Sequence, residues 1–308
     1  MSKNNGYSLC LKKDGLMAMS VSSLAENRWR IESVDLQKEG DDPSPSVQNF
    51  SKYSEQVTMM VPGDAVRTSL ITLPKMKNKE MSMAASGWVA REEASPVEDW
   101  CVSWRHRKSE REEKPDQKDV FLLYASREDI DANLSAAKTW GLEPGRMLPD
   151  FMILDSMFRH HHAQGKDLKA WNIVFIGHEE HFLCVSTAAS LLLTRTLPAD
   201  FSEGSDAQEY FERVATEVDR SIFFARQTQY NPDIQKIIVC GDPELARGLV
   251  EQLKEETTVP AEFWDVAGCF ENEAGKLESE FLFPAMAAAL AAEKDPFNLL
   301  PKKARSCW

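Results

Sequence analysis

An α/β fold built as two lobes is what this sequence predicts, on three observations. The chain has 308 residues, long for one simple core and suited to two lobes or to one fold of two related halves. Strand-like runs alternate with helical ones, as in 119–125 followed by 127–140 and then Gly141. The clearest periodicity is an amphipathic helix over 206–227, whose stripe of Ala207, Tyr210, Phe211, Val214, Val218, Ile222 and Ala225 calls for a sheet to pack on.

The first segment reads as antiparallel strands at 7–11, 16–21 and 29–34, with Asp14 and Gly15 placed for a tight hairpin turn. Residues 40–54, rich in Asp, Pro and Ser and without periodicity, read as a surface loop or boundary. Strands follow at 57–61 and 69–73, a helix from near Asn78, and strands at 100–105 and 119–125. Between the last two, KSEREEKPDQK is an apolar-free charge run, simplest as a solvated hairpin loop. Strands at 170–176, 182–187 and 191–197 form a meander. Beyond the long helix come a strand at 234–240, a turn at Gly241, Asp242 and Pro243, and a helix with Leu245, Leu249 and Leu253 as its core stripe; Pro243 suits its first turn. A strand near 261–266, an acidic loop and an alanine-rich helix over 281–293 complete the order.

Composition narrows the function. At 43% hydrophobic and 28% charged residues, the chain has enough apolar area for a core, so collagen-like and wholly disordered classes are out. A net charge of −13 repels phosphate backbones, so nucleic acid is not an expected partner. The N-terminal MSKNNGYSLCLKK lacks the apolar core of a secretory signal, and no run approaches the roughly 20 apolar residues of a membrane span, which predicts a cytosolic protein. Six scattered cysteines without a C-x-x-C pair read as reduced thiols, with Cys10, Cys184 and Cys240 in buried strands.

The stretches VPGDAVRTSLITLP, SGWVAREEASPVEDW, DVFLLYASREDIDANLSAAKTWGLEPGRMLPDFMILDSMF and VDRSIFFARQTQYNPDIQKIIVCGD together resemble the PilM family of type IV pilus assembly proteins and the related cytoplasmic domain of GspL proteins of type II secretion. The resemblance spans nearly the whole chain and lies in the order of the motifs. It implies an actin-like ATPase fold of two lobes, with a small α+β domain inserted in the first. The divisions expected are 1–56 and 148–168 for the first lobe, 57–147 for the insert, 169–280 for the second lobe, and 281–308 for a C-terminal helix returning to the first lobe plus a tail.

Such a fold binds nucleotide with two glycine hairpins, each carrying an aspartate that positions Mg²⁺ or water. Here Cys10, Leu11 and Lys12 stand where the family has Asp-x-Gly. Phe175, Ile176 and Gly177 stand where it has Asp-Ile-Gly, followed by His178, Glu179 and Glu180 in place of small hydroxyl residues. The adenosine-side Gly-Gly becomes Gly241 and Asp242. Two glutamates near a phosphate add repulsion, so a degenerate cleft and no hydrolysis are expected. Asp14 at a turn apex reads as a turn residue. No cofactor is expected, ATP with Mg²⁺ being what the fold would otherwise take. No Walker lysine motif, G-x-G-x-x-G or G-x-S-x-G occurs, and Gly275 with Lys276 lacks the rest of a P-loop.

The remaining candidates read as structural. His160, His161 and His162, consecutive on a helix, do not share a face and read as an exposed polar end instead of a metal site. His178 and His181 read as parts of a solvated turn. Trp88, Trp100, Trp104 and Trp171 suit core or interface packing, not a nucleic-acid platform.

The resemblance implies a non-catalytic cytoplasmic scaffold under the inner membrane that binds the cytoplasmic tail of a PilN-like bitopic protein, with an assembly ATPase and a second copy as further partners. Two other readings stand beside it: a PilM-like ATPase with a divergent working nucleotide site, and the soluble lobe of a GspL-like chain continuing into a membrane span. In the resembling family an Asn-Leu-Leu-Pro motif begins the membrane partner. Here Phe297, Asn298, Leu299, Leu300 and Pro301 carry those four residues at this chain's own end, so they are expected to act as a docking peptide.

Overall fold

The alternating apolar residues near the N-terminus do form an antiparallel meander, made of β1 (Asn5–Lys12), β2 (Gly15–Ala25) and β3 (Arg28–Lys38). This is a computed structural model that describes residues 5–12, 15–25, 27–38, 40–107, 116–162, 168–177, 180–188, 190–198, 207–228, 231–272, 277, 279–290 and 297–300. The chain divides into two compact units. The first comprises Met1–Met157, Phe270–Leu277 and Phe281–Trp308, the second Phe158–Cys269 and Glu278–Glu280.

In the first unit, Gly15 is the first residue of β2, opposite Lys12, where a Cβ would meet the Gln37 carbonyl oxygen at 1.8 Å; Asp14 lies outside the described residues. The expected loop at 40–54 holds a helix, α1 (Pro45–Phe50), started by Ser44, whose hydroxyl accepts from the Val47 amide. Val47 and Phe50 from it are buried. With two apolar side chains on one and a half turns, it is too short to show a period.

β4 (Val57–Val61) runs parallel to β1, with Tyr7 opposite Val57. This corrects the expected boundary of the insert at residue 57. All five residues of β4 are buried, so it is an interior parallel strand of the main sheet, not half of a separate hairpin. The separate sheet starts at β5 (Val66–Pro74). It continues through α2 (Asn78–Glu92), β6 (Trp100–His106) and β7 (Gln117–Ser126), in the order β5-β7-β6. Met81, Ala85 and Val89 of α2 pack on Ile71, Val120, Leu122 and Tyr124. Of the charge run between β6 and β7, residues 108–115 lie outside the described residues.

After α3 (Arg127–Thr139) the chain re-enters the main sheet as β8 (Arg146–Pro149), parallel to β4 with Thr58 opposite Arg146, and then forms α4 (Asp150–His162). β8 is an edge strand of a six-stranded sheet ordered β14-β3-β2-β1-β4-β8.

The second unit is built on β9 (Ala170–Ile176), β10 (His181–Thr187) and β11 (Leu191–Thr196), an antiparallel meander. The helix α5 (Ala207–Gln227) follows, then β12 (Lys236–Gly241), α6 (Pro243–Glu256) and β13 (Ala261–Phe263), giving a sheet ordered β11-β10-β9-β12-β13. Tyr210, Val214, Val218, Ile222 and Ala225 of α5 and Leu245, Leu249 and Leu253 of α6 share one core with Val174, Ile176, Leu183, Val185, Ile237 and Val239.

The expected second lobe at 169–280 also needs correcting. The last turn of α4 from Phe158 belongs to the second unit, while β14 (Phe270–Glu271) returns to the first sheet, pairing parallel with Trp29 and Arg30. Finally α7 (Leu282–Ala289), buried all round, lies on β1, β2 and β4, its small alanines permitting close approach. The Ser8 hydroxyl donates to the Pro284 carbonyl at 2.7 Å. Residues 291–296 lie outside the described set.

Candidate functional site

An edge strand exposes a row of backbone donors and acceptors that some other group must satisfy. At β8 in the first unit that group is the chain's own segment 297–300. The Leu299 amide donates to the Met147 carbonyl at 3.1 Å, as a neighbouring strand would. The Met147 amide, which needs an acceptor, finds the Asn298 Oδ1 at 3.1 Å. The same oxygen accepts from the Leu300 amide at 3.0 Å, an Asx-type turn that bends the segment. The Asn298 Nδ2 donates to the Gly145 carbonyl at 3.0 Å, and its backbone amide to the Ser103 hydroxyl on β6 at 3.2 Å.

Apolar anchors flank this polar centre. Phe297, Leu299 and Leu300 are buried at 3%, 1% and 4% exposure, although they lie near a chain end where fraying is the norm. The Phe297 ring meets Phe121 of β7 edge-on, centroids 5.5 Å apart. The groove is therefore walled by the β8 edge and by the face of the three-stranded sheet that α2 leaves uncovered. A carboxamide read by three hydrogen bonds, between buried apolar side chains, is a peptide-recognition arrangement. Pro301 lies outside the described residues.

The residues that build the groove, Ser103, Phe121, Gly145 and Met147, were not singled out in the sequence. They come from three distant segments, and no local pattern marks them.

The positions expected to form a degenerate nucleotide cleft fall in both units. In the first, Cys10 is half-buried, its thiol 3.6 Å from the Leu11 carbonyl, and Lys12 is exposed at the end of β1. In the second, Phe175 is buried in β9 and stacks on Phe182 at 5.4 Å, so its side chain is committed to packing. The Gly177 amide donates to the Glu180 carbonyl at 2.9 Å; His178 and Glu179 lie outside the described residues. Gly241 ends β12 at φ 115°, where a Cβ would meet the Ile176 carbonyl oxygen at 2.0 Å. Only glycine fits there. Asp242 then caps α6, its carboxylate accepting from the Glu244 and Leu245 amides at 2.9 and 3.0 Å. That aspartate serves the helix N-terminus.

Two histidine readings are corrected. His181 is buried at 2% exposure, its Nδ1 hydrogen-bonded to the Tyr210 hydroxyl, because it opens a core strand instead of lying in a solvated turn. Burial raises the Tyr210 hydroxyl pKa. His161 and His162 are half-buried, not an exposed end: His162 stacks on Phe158 at 4.4 Å and meets Trp264 edge-on at 5.5 Å, while the His161 Nε2 lies 3.0 Å from the Cys269 thiol. Burial, followed by the charge of His161, lowers the His162 pKa. Among the described residues no three His, Cys, Asp or Glu side chains cluster as a metal site. Cys10, Cys101, Cys184, Cys240 and Cys269 carry free thiols, and burial raises the pKa of Cys240; Cys307 lies outside the described residues. No described helix is long and apolar enough to cross a membrane.

These elements define an actin-like ATPase fold with an extra small α+β sheet and helix in its first unit. Among solved structures, a chain of the PilM-PilN type IV pilus biogenesis complex is similar at 18% identity and a TM-score of 0.63. The match covers 93% of this chain and 96% of that one. At that identity the likeness establishes a PilM-like fold. The cytoplasmic domain of EpsL, an inner membrane component of the type II secretion system of Vibrio cholerae, matches at 14% identity over 97% and 98% of the two chains, with a TM-score of 0.46. No family model and no curated protein matches the sequence.

Proposed function

We propose that this protein is a non-catalytic scaffold of a type IV pilus or type II secretion assembly platform, binding the cytoplasmic tail of a PilN-like membrane protein and held at the inner membrane through it. The observation that carries this reading is the β8 groove, where the Asn298 carboxamide, Phe297, Leu299 and Leu300 fill a site suited to a short extended peptide. The fold likeness to a chain of a PilM-PilN complex supports the choice of partner. On this reading segment 297–300 occupies in cis the groove that a partner tail takes in trans. Proline beside the leucines reduces the entropy lost on docking.

Deleting 297–308 tests it. A synthetic peptide of this chain's own sequence FNLLPK should bind the truncated chain at micromolar concentration or tighter by calorimetry, and the intact chain at least tenfold more weakly. Equal affinity for both would refute competition, and binding to neither would remove the groove as a peptide site. In a truncated chain, Asn298→Ala in the peptide should abolish binding.

The non-catalytic part rests on Cys10 and the packed Phe175 standing where aspartates would anchor Mg²⁺, and on Lys12 standing where the first hairpin would have its glycine. Ligand at a hundred times its dissociation constant would stabilise the protein by about 2.7 kcal/mol. MgATP at millimolar concentration should therefore leave the melting temperature unchanged. A rise of several degrees would favour the other reading, a working divergent ATPase.

A further inference from the structure

The helix α7 stops short of its own sequence. The alanine-rich run predicts a helix over 281–293, yet α7 ends at Ala289, with Leu290 as its cap. Ala291, Ala292, Glu293 and Lys294 all have side chains that favour a helix, and the first position that resists continuation is Asp295, which precedes Pro296. A helix that ran on would satisfy the Leu290 carbonyl with the amide of Lys294, four residues ahead.

Another group holds that carbonyl. Arg146 of β8, buried at 8% exposure, donates to it from Nη2 at 2.6 Å. The Thr58 hydroxyl of β4 steadies the same guanidinium, 3.1 Å from Nη2 and 3.3 Å from Nε. A cation on the last carbonyl of a helix satisfies it and complements the negative end of the helix dipole. The neighbours of Arg146 in sequence hold the docked segment. The Gly145 carbonyl accepts from the Asn298 Nδ2, and Met147 bonds Asn298 through its amide and Leu299 through its carbonyl. Three consecutive residues of β8 thus grip both the end of α7 and the segment that begins after six more residues.

We propose that Arg146 is a latch that decides whether the β8 groove is filled in cis or open to a partner. By capping α7 at Leu290 it turns the chain toward β8 and positions segment 297–300 for docking. With the latch released, α7 runs on toward Lys294, the segment leaves β8, and the groove is free for a peptide in trans. Continuation and docking compete because four further helical residues carry the chain about 6 Å along the axis of α7 and leave only Asp295 and Pro296 to bring it back. The coupling is reciprocal: a partner peptide that displaces the segment favours a longer α7. This inference deepens the reading of the β8 groove as a peptide site and rests on it.

Hydrogen exchange and peptide calorimetry on the intact chain test it. Arg146→Met keeps the apolar stem and removes the cap, so the Leu299 amide should exchange at least tenfold faster and the peptide FNLLPK should bind at least tenfold more tightly than to the wild type. Ala291→Gly with Ala292→Gly disfavours helix continuation by roughly fifteen- to thirtyfold. Added to Arg146→Met, the glycine pair should return exchange and peptide affinity toward wild-type values, which it could not do if the lost arginine had merely loosened β8. In the wild-type background the same pair should slow the Leu299 amide at least threefold, a measurement that leaves the buried arginine in place. Unchanged Leu299 exchange in Arg146→Met would overturn the latch, as would a glycine pair without effect in either background. Exchange that follows the expected pattern while FNLLPK binds none of these chains would support the latch and refute the peptide-site reading instead.

Discussion

Replacing Asn298 by alanine removes three hydrogen bonds at once: Oδ1 to the Met147 and Leu300 amides, and Nδ2 to the Gly145 carbonyl. A neutral hydrogen bond contributes about 0.5–1.5 kcal/mol, and a buried donor left without an acceptor costs about 1–3 kcal/mol. The Met147 amide is such a donor, because the lost oxygen is its acceptor and the residue is fully buried. The docked segment should therefore lose about 2–4 kcal/mol, roughly a 30- to 1000-fold shift toward the undocked state. Backbone bonding from Leu299 and the burial of Phe297 remain, so the rest of the fold should be unaffected. Hydrogen exchange reads this directly: the Met147, Leu299 and Leu300 amides should exchange at least thirtyfold faster in Asn298→Ala, while β1 and β9 amides keep their rates. Asn298→Asp is the sharper variant, since it keeps an acceptor for Met147 but sets a carboxylate oxygen against the Gly145 carbonyl. It should undock the segment at pH 7 and restore part of the protection below pH 4, where the acid can donate. Wild-type exchange in both variants would refute the assignment of Asn298 as the anchor of the segment.

Two further outcomes follow from the second unit. Asn172, fully buried between Val185 and Ile237, has no hydrogen-bond partner for either side-chain polar atom among the described residues, so Asn172→Val should stabilise the unit by about 1–3 kcal/mol in urea unfolding; a lower urea midpoint would contradict this. His162 has a folded pKa below its ordinary 6.5, so it binds protons better unfolded. Its stability contribution is present above pH 6.5 and is lost as pH falls below that value, and His162→Phe, which keeps the stack on Phe158, should flatten the decline in urea midpoint between pH 7 and pH 5; an unchanged slope would rule out His162 as its source.

Short-range pattern was the legible part of this protein. The stripe of α5 and the leucines of α6 recur at helical spacing because one face of each must be dry, and burial follows that stripe. The meander of the second unit, the turn at Gly241 and Pro243 at the start of α6 are likewise local decisions, made by dihedral preference and alternation.

Tertiary structure alone decided the pairings. Val57–Val61 has no alternating pattern, since both its faces are buried, and nothing within five residues says which of two sheets it joins. His181 looks like a turn residue until Tyr210, on the next helix, supplies a partner for its ring. The groove at β8 depends on Ser103, Gly145 and Met147 arriving beside Asn298 from 195, 153 and 151 residues away. The sequence alone determined most of the strands and helices, α1 being too short to show a period, and that residues 297–300 are apolar around one asparagine. Only the assembled sheet, with a β8 edge whose Met147 amide and carbonyl both require partners, decided that this asparagine is buried and what it holds.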